Sequence, residues 1–157
     1  MSVQTPSRIH FFSWHTKVSL ELPVGFEEAS ESPEVNAAMY ADDLDEDDPL
    51  GGRVLVRASA VPDGDETAWQ RLADESAGLP GRETVWRRDL EVDGLDVRMQ
   101  LLRYAQDDID VEVVRLEAFA QAADVVFSIT GLAPADRQDE YVPGYEHAVT
   151  TARFVLL

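Results

Sequence analysis

Four consecutive segments between residues 83 and 131 carry the alternation of apolar and polar residues that is typical of strands. The second segment shows it most clearly, with apolar side chains at every other position: Leu95, Val97, Met99 and Leu101. Such a period of two indicates a half-buried strand. Asp93-Gly94 stands just before this segment and is a strong signal for a two-residue hairpin. Because the linkers between the four segments are short, we predict an antiparallel meander.

The N-terminal part of the chain indicates four further short strands. Val18, Leu20 and Leu22 alternate with polar residues, and Pro23 and Gly25 end that strand, since proline cannot donate to a ladder and glycine tolerates the turn. The other three predicted strands are residues 9–14, 35–41 and 53–61.

Two helices complete the prediction. Asp63, with Glu66 three residues later, resembles a capping box that opens the first helix, and Gly78 and Pro80 close it. The second helix has Pro143 in its first turn. Its apolar stripe consists of Tyr145, Ala148, Val149, Ala152 and Leu156. The predicted order is β-β-β-β-α-β-β-β-β-α, an α+β fold in which helices flank a twisted antiparallel sheet.

The composition is that of a folded chain despite its charge. Hydrophobic residues make up 45% of the 157 residues, which is too many for a disordered protein. A chain of this length buries enough surface to fold as one domain, and we expect residues 1–157 to do so. Residues 1–8 are a candidate disordered tail, and residues 42–52 are predicted to form an acidic exposed loop.

Charge and cysteine content exclude several functional classes. A formal net charge of −18 argues against binding to nucleic acid or to anionic membranes, which need clustered Lys and Arg. The chain has no cysteine, so disulfides, a thiolate nucleophile and a cysteine-rich zinc site are excluded. The N-terminal residues form no signal peptide, and no segment approaches the roughly 20 apolar residues of a membrane span. We therefore expect a cytoplasmic protein.

No catalytic residue, cofactor site or metal site is predicted. The three histidines show no H-x-x-x-H spacing, and no serine stands in a G-x-S-x-G elbow. A carboxylate pair for acid-base chemistry cannot be selected by sequence among 31 acidic residues.

Every charged residue between Val18 and Gly52 is acidic, which predicts a negative field on one side of the protein. Such a field steers a basic partner, and the alternative interpretation is that it serves solubility alone. Exposed aromatic residues would extend a binding surface, although core packing is the ordinary role of aromatic side chains. The candidate partner-binding residues are Glu27, Glu28, Glu31, Glu34, Asp42, Asp43, Asp45, Glu46, Asp47, Asp48, Trp14, Trp86 and Tyr145.

Two short motifs resemble a known superfamily. Leu22, Pro23, Gly25 and Phe26 stand where its members have an aromatic residue after P-x-G, and the segment from Ala152 to Phe154 is similar to their small-basic-aromatic ending. The superfamily includes the PsbP protein of photosystem II and the Mog-type Ran-binding nuclear-import factor. Its bacterial branch includes DcrB-like proteins, LpqN-type lipoproteins and chaperones of type VI secretion effectors. The resemblance implies a sandwich of sheet and helices, and a role in binding rather than catalysis.

Three functional hypotheses follow. The first is a non-enzymatic adaptor or chaperone-like module that binds another protein, either a basic protein or a secreted client. The second is a small-molecule-binding protein, or an enzyme that uses a carboxylate pair in a pocket between sheet and helix, which requires a deep polar cavity. The third is a subunit of an oligomer, which requires a contiguous apolar patch.

The acidic loop provides a first test. Clustered carboxylates suit Ca²⁺, but with Asp43 as first ligand, Asp48 occupies the glycine position of an EF-hand and Val54 the bidentate glutamate position. We therefore expect no change in tryptophan fluorescence or melting temperature when Ca²⁺ is added to the millimolar range. A saturable response would instead establish a cation site in the loop.

Overall fold

The computed structural model describes most of the chain, apart from the two termini and several loops. The described residues are 7–13, 16–23, 25–32, 37–41, 52–60, 82–106, 111–122 and 125–156. The predicted first helix and the acidic loop at 42–51 lie outside these residues, as do residues 1–6 of the predicted tail. Ser7 and Arg8 do not belong to a tail, because they form the first residues of a strand.

Ten strands, one short 3-10 turn and one α-helix form the described structure. The strands are β1 (Ser7–Ser13), β2 (Thr16–Leu22), β3 (Glu27–Ser32), β4 (Ala37–Ala41), β5 (Arg53–Ala60), β6 (Glu83–Val92), β7 (Leu95–Gln106), β8 (Val111–Ala122), β9 (Val125–Pro134) and β10 (Arg153–Leu156). The 3-10 turn covers Ala135–Arg137 and leads into helix α1, Gln138–Thr150. The α+β class and the largely antiparallel architecture are as the sequence predicts.

The strands form two sheets. A seven-stranded sheet has the order β3-β4-β5-β9-β8-β7-β6, and every neighbouring pair in it is antiparallel. A three-stranded sheet has the order β1-β2-β10. The predicted meander is confirmed as β6 to β9. Its first hairpin turns at Asp93 and Gly94, whose φ angles of 51° and 80° are those of a type I′ turn.

Helix α1 packs on β8 and β9 of the large sheet and beside β2 of the small one. The core lies between these elements. On each strand of the large sheet, alternate residues point toward the helix, and we call this side the helix face and the other side the far face. Leu101, Leu116 and Ile129 belong to the helix face, and they are buried together with Ala148 and Val149 of α1.

Tyr145 fixes the position of α1 on the sheet. Its ring lies directly over Gly131 of β9, where an added Cβ atom would lie only 2.6 Å from Cγ of the ring. Its hydroxyl donates a hydrogen bond of 2.6 Å to the carbonyl oxygen of Leu132. Tyr141 stacks on Tyr145 at a centroid distance of 6.1 Å. The glycine is therefore required because only a strand position without a side chain lets the ring approach so closely.

The P-x-G-F motif contributes to the same packing. The backbone N–H of Phe26 donates to the carbonyl of Pro23 across a turn in which Gly25 has a φ of 90°. Positive φ at this position is the reason for glycine. The ring of Phe26 then meets the edges of Tyr141 and Tyr145 at centroid distances of 6.4 Å and 6.0 Å. The motif thus connects the end of β2 to the helix.

Two sequence-based assignments were wrong. The last helix ends at Thr150, so Ala152 and Leu156 are not part of its stripe, and residues 153–156 form β10 against β2. The chain can leave the helix there because Arg153 and the following residues find backbone partners on β2. Pro143 is the sixth residue of the helix rather than a first-turn residue.

Strand β3 is a third difference. The sequence EEASES has no apolar alternation, so the period-two criterion misses it. Its strand conformation comes from pairing with β4, with a register shift between Glu28 and Ser30. Pairing with a neighbour overrides weak intrinsic strand preference.

None of the helices in the described part of the chain combines the length and apolar character that crossing a membrane requires.

Substitution of Gly131 by alanine should destabilise the fold by about 3 kcal/mol, because the new methyl group overlaps the Tyr145 ring. Chemical denaturation measures this change. The control is the same substitution in a Tyr145→Ala background, where the ring is absent and Gly131→Ala should cost much less. Equal costs in the two backgrounds would show that the ring contact is not the reason for the glycine.

Candidate functional site

An open cleft lies on the helix face between β6 and α1, with a volume of about 670 Å³. We call it the β6–α1 cleft. It is lined by Arg88, Asp89, Leu90, Met99, Pro143, Glu146, His147 and Thr150. The cleft exists because α1 packs over β8 and β9 in the middle of the sheet and leaves the margin at β6 uncovered.

The lining follows from helix and strand periodicity. Pro143, Glu146, His147 and Thr150 occur at spacings of three, four and seven residues and so share one side of α1. On the sheet, Arg88 pairs with Met99 in register, and two residues further along β6 Leu90 lies on the same face. Leu90, Met99 and Pro143 provide apolar surface, and the charged residues surround it.

Arg88 bridges the two walls of the cleft. Its Nη1 donates to Oε1 of Glu146 at 2.9 Å, and its guanidinium lies over the ring of Trp86 at 4.1 Å from the centroid. The two ion-pair side chains are 56% and 29% exposed. An ion pair this exposed adds little to stability and can open without a large penalty, so it does not prevent a ligand from entering the cleft.

The helical wall is held at its C-terminal end by the small sheet. Nε2 of His147 lies 3.1 Å from Oε2 of Glu21 on β2. The backbone N–H of Glu21 donates to the hydroxyl of Thr151, and Arg8 of β1 donates to the carbonyl of Thr151. These contacts tie the last turn of α1 to two strands, which keeps the cleft wall in place.

At the other end of α1, Arg137 donates through Nε and Nη2 to the two carboxylate oxygens of Glu140. This hydrogen bonding holds the pKa of Glu140 below its ordinary value. The carboxylate is therefore charged at the helix N-terminus, where the helix dipole favours negative charge.

The far face carries a polar ladder that extends inward from β6. Nε of Arg87 donates to Oε1 of Gln100 at 3.1 Å, and Nε2 of Gln100 donates to Oε1 of Glu117 at 2.9 Å. Nε of Arg115 lies 3.2 Å from Oε2 of Glu117, as an ion pair whose direction does not suit a hydrogen bond. Glu117 is only 2% exposed. A buried carboxylate must be paired, and this ladder supplies its partners.

The ladder was missed by sequence reasoning. Glu117 and Gln100 occur within strands that otherwise alternate, and nothing in the sequence shows that β7 and β8 are buried on both faces. Gln100 and Glu117 are direct cross-strand neighbours only in the register of β7 with β8. The cleft residues on α1 were missed for a similar reason, since their polar spacing is that of any solvated helix face.

The predicted partner-binding residues are not brought together in the described structure. Glu27, Glu28 and Glu31 are positions of β3, at the opposite end of the large sheet from β6. Outside the described residues lie Trp14, Glu34, Asp42, Asp43, Asp45, Glu46, Asp47 and Asp48. Trp86 is half-buried at the margin next to the cleft. Tyr145 is 2% exposed, so its side chain belongs to the core and not to a binding surface.

The β6–α1 cleft does not provide the carboxylate pair in a deep polar cavity that the hypothesis of an enzyme requires. Asp89 and Glu146 both line the cleft, but the side chain of Asp89 points to the far face. The cleft is also open to solvent, and Glu146 accepts a hydrogen bond from Arg88. Across the described residues, no three His, Asp or Glu side chains form a group that could hold a metal ion.

The fold is that of the PsbP-like and LpqN-like proteins. LpqN of Mycobacterium tuberculosis, described as involved in cell envelope biogenesis, superposes with a TM-score of 0.73 over 98% of this chain and 92% of its own, at 12% identity. Cyanobacterial PsbP from Synechocystis gives 0.61 over 99% of this chain and 95% of its own, at 16% identity. A Pseudomonas aeruginosa protein of unknown function gives 0.61 over 96% of both chains, at 16% identity.

At these identities the likeness shows the fold and not the function. No family model and no curated protein matches the chain.

Removal of the Glu117 carboxylate should destabilise the protein strongly. In Glu117→Ala, Gln100 loses its acceptor and Arg115 keeps a charge without its partner, and we expect a loss of about 3–5 kcal/mol in the free energy of unfolding. Glu117→Gln should lose less, because an amide oxygen can still accept from Gln100. Urea denaturation measures both.

Glu112→Ala is the matched control on the same strand, since Glu112 pairs with Arg103 at the exposed surface. Its denaturation midpoint should stay nearly unchanged. A similar loss in Glu112→Ala and Glu117→Ala would contradict the special role of the buried carboxylate.

Proposed function

We propose that this chain is a non-catalytic module that binds another protein, and that the β6–α1 cleft receives a segment of that protein. The observation that carries the proposal is the composition of the cleft: an apolar floor at Leu90 and Met99, with charged groups at its rim. Binding sites commonly combine an apolar centre with a polar rim.

The shape of the cleft supports a protein segment over a small molecule. Its volume of about 670 Å³ lies within the range of small-molecule pockets, but such pockets enclose most of their ligand. This cleft is open to solvent and lies next to β6, a terminal strand of the large sheet. An extended segment can lie in such a groove while its side chains contact the floor.

The charge of the chain supports a basic partner. With a formal net charge of −18, the protein attracts cationic proteins and repels acidic ones. Glu146 places a carboxylate at the cleft itself. Lys or Arg residues in the bound segment could replace Arg88 as the partner of Glu146. The proposal is also supported by the fold, which is shared with LpqN, a protein involved in cell envelope biogenesis.

Thr150→Lys provides a direct test, because a long side chain at this position would fill the cleft. Lysine is compatible with the C-terminal turn of a helix, so the fold should be retained. Ala105→Lys is the matched control: it makes the same charge change at an exposed position of β7, six residues from Met99 or roughly 20 Å along the strand.

Affinity capture from the native host should recover a stoichiometric protein with the unmodified chain and with Ala105→Lys. Titration calorimetry with that purified protein should then show an affinity at least about ten-fold lower for Thr150→Lys, the loss expected for disturbing a central contact. Equal affinity of both variants would overturn the cleft as the site. Binding of a small molecule in place of a protein would overturn the proposed class of partner.

A further inference from the structure

Strand β6 is a terminal strand of the large sheet, and among the described strands it pairs only with β7. A terminal strand presents backbone N–H and C=O groups along its outer side, which can pair with another strand. Most of β6 is exposed, including Val85 at 45%.

The order of charges along β6 is complementary to itself. Basic Arg87 and Arg88 are followed by acidic Asp89 and Glu91. When two copies of a strand run antiparallel, the first half of each meets the second half of the other. Between residues 87 and 91, the basic residues of one copy would therefore lie against acidic residues of the other, in a protein whose overall charge otherwise opposes self-association.

We infer that a second copy of this chain pairs through β6, antiparallel about a two-fold axis at Arg88. This inference does not rest on the proposed function. The register with β7 shows regular pairing from Trp86 to Val92, because the irregularity of β6 lies between Thr84 and Trp86. A two-fold axis at Arg88 therefore joins the regular five-residue runs 86–90 of both copies.

The side chains in this arrangement are complementary on both faces. On the far face, Arg87 of each copy lies opposite Asp89 of the other, which forms two cross-strand ion pairs. On the helix face, the half-buried Trp86 lies opposite the half-buried Leu90 of the other copy. The like-charged pair, Arg88 with Arg88, lies at the axis, and each of these guanidinium groups is already paired with Glu146.

The other possible axes are less favourable. An axis at Arg87 places Glu83 opposite Glu91 and Val85 opposite Asp89. An axis at Asp89 pairs Arg87 with Glu91, but it places the two Asp89 carboxylates opposite each other and Arg88 opposite Leu90. Like charges directly opposite each other destabilise a strand pair. The axis at Arg88 is therefore favoured.

This pairing has a consequence for the cleft. A two-fold axis perpendicular to the sheet keeps the helix faces of both copies on the same side. The two β6–α1 clefts would then adjoin across the paired strands, and together form one trough with an α1 helix on either side. Dimerisation would double the length of partner segment that the surface can hold.

Charge exchange between Arg87 and Asp89 tests the inference. Arg87→Glu alone places a carboxylate opposite Asp89, and Asp89→Arg alone places two guanidinium groups opposite each other. When the two variants are mixed, the introduced glutamate of one faces the introduced arginine of the other, and the remaining Arg87 faces the remaining Asp89. The mixture should therefore associate although neither variant does so alone.

Sedimentation equilibrium at about 0.15 M salt, where the net charge is screened, measures the association. The unmodified chain should form a dimer with a dissociation constant in the micromolar range, since a five-residue edge pairing is a small interface. Each single variant should weaken it by at least about ten-fold, and the equimolar mixture should restore it. Asp136→Arg, an exposed charge reversal away from β6, should dimerise as the unmodified chain does.

Four outcomes would overturn the inference. The first is a monomer at all concentrations of the unmodified chain. The second is dimerisation of both single variants with unchanged affinity. The third is a mixture of well-folded variants that stays monomeric. The fourth is formation of oligomers larger than a dimer by the unmodified chain, which would show pairing through a different edge.

Discussion

The contact between the Tyr145 ring and Gly131 determines how the rest of the molecule is arranged. It sets the distance of α1 from β9, and the hydroxyl bond to Leu132 sets its position along the strand. Phe26 packs against the same ring, so the turn after β2 is placed by the helix as well. The cleft is a consequence, because a helix held over β8 and β9 cannot also cover β6.

The large sheet has a buried centre and two terminal strands of different character. Strands β8 and β9 are buried on both faces, which is why Glu117 requires its partners Gln100 and Arg115. At the margins, β3 has mostly acidic and small polar residues and β6 has charges of both signs. Charged residues on a terminal strand usually discourage pairing with other chains. On β6, the order of the charged residues instead permits the specific pairing proposed above, with β6 of a second copy.

Much of the fold could be predicted from the sequence. Alternation in β2 and β7, together with Asp93-Gly94, predicts antiparallel hairpins because these signals are local. Strand β3 and strand β10 could not be predicted, since their residues form strands only where β4 and β2 provide backbone partners. The β6–α1 cleft could not be predicted for a similar reason, since its residues come together only when α1 docks on the sheet. Of the two aromatic candidates that the structure describes, Trp86 borders the cleft and Tyr145 is in the core.

The sequence by itself determined the α+β class, the strand alternation in the meander, the acidic character and two of the turns. Of the predicted turns, those at Pro23–Phe26 and Asp93–Gly94 lie in the described residues and are confirmed. These properties depend on neighbouring residues or on composition, so they can be read without coordinates. Only the tertiary structure decided that Glu146 faces Arg88, that Glu117 is buried beside Gln100, and that β6 is a terminal strand. Each of these facts joins residues far apart in the chain, and their distance is set by the docking of α1 and by strand register.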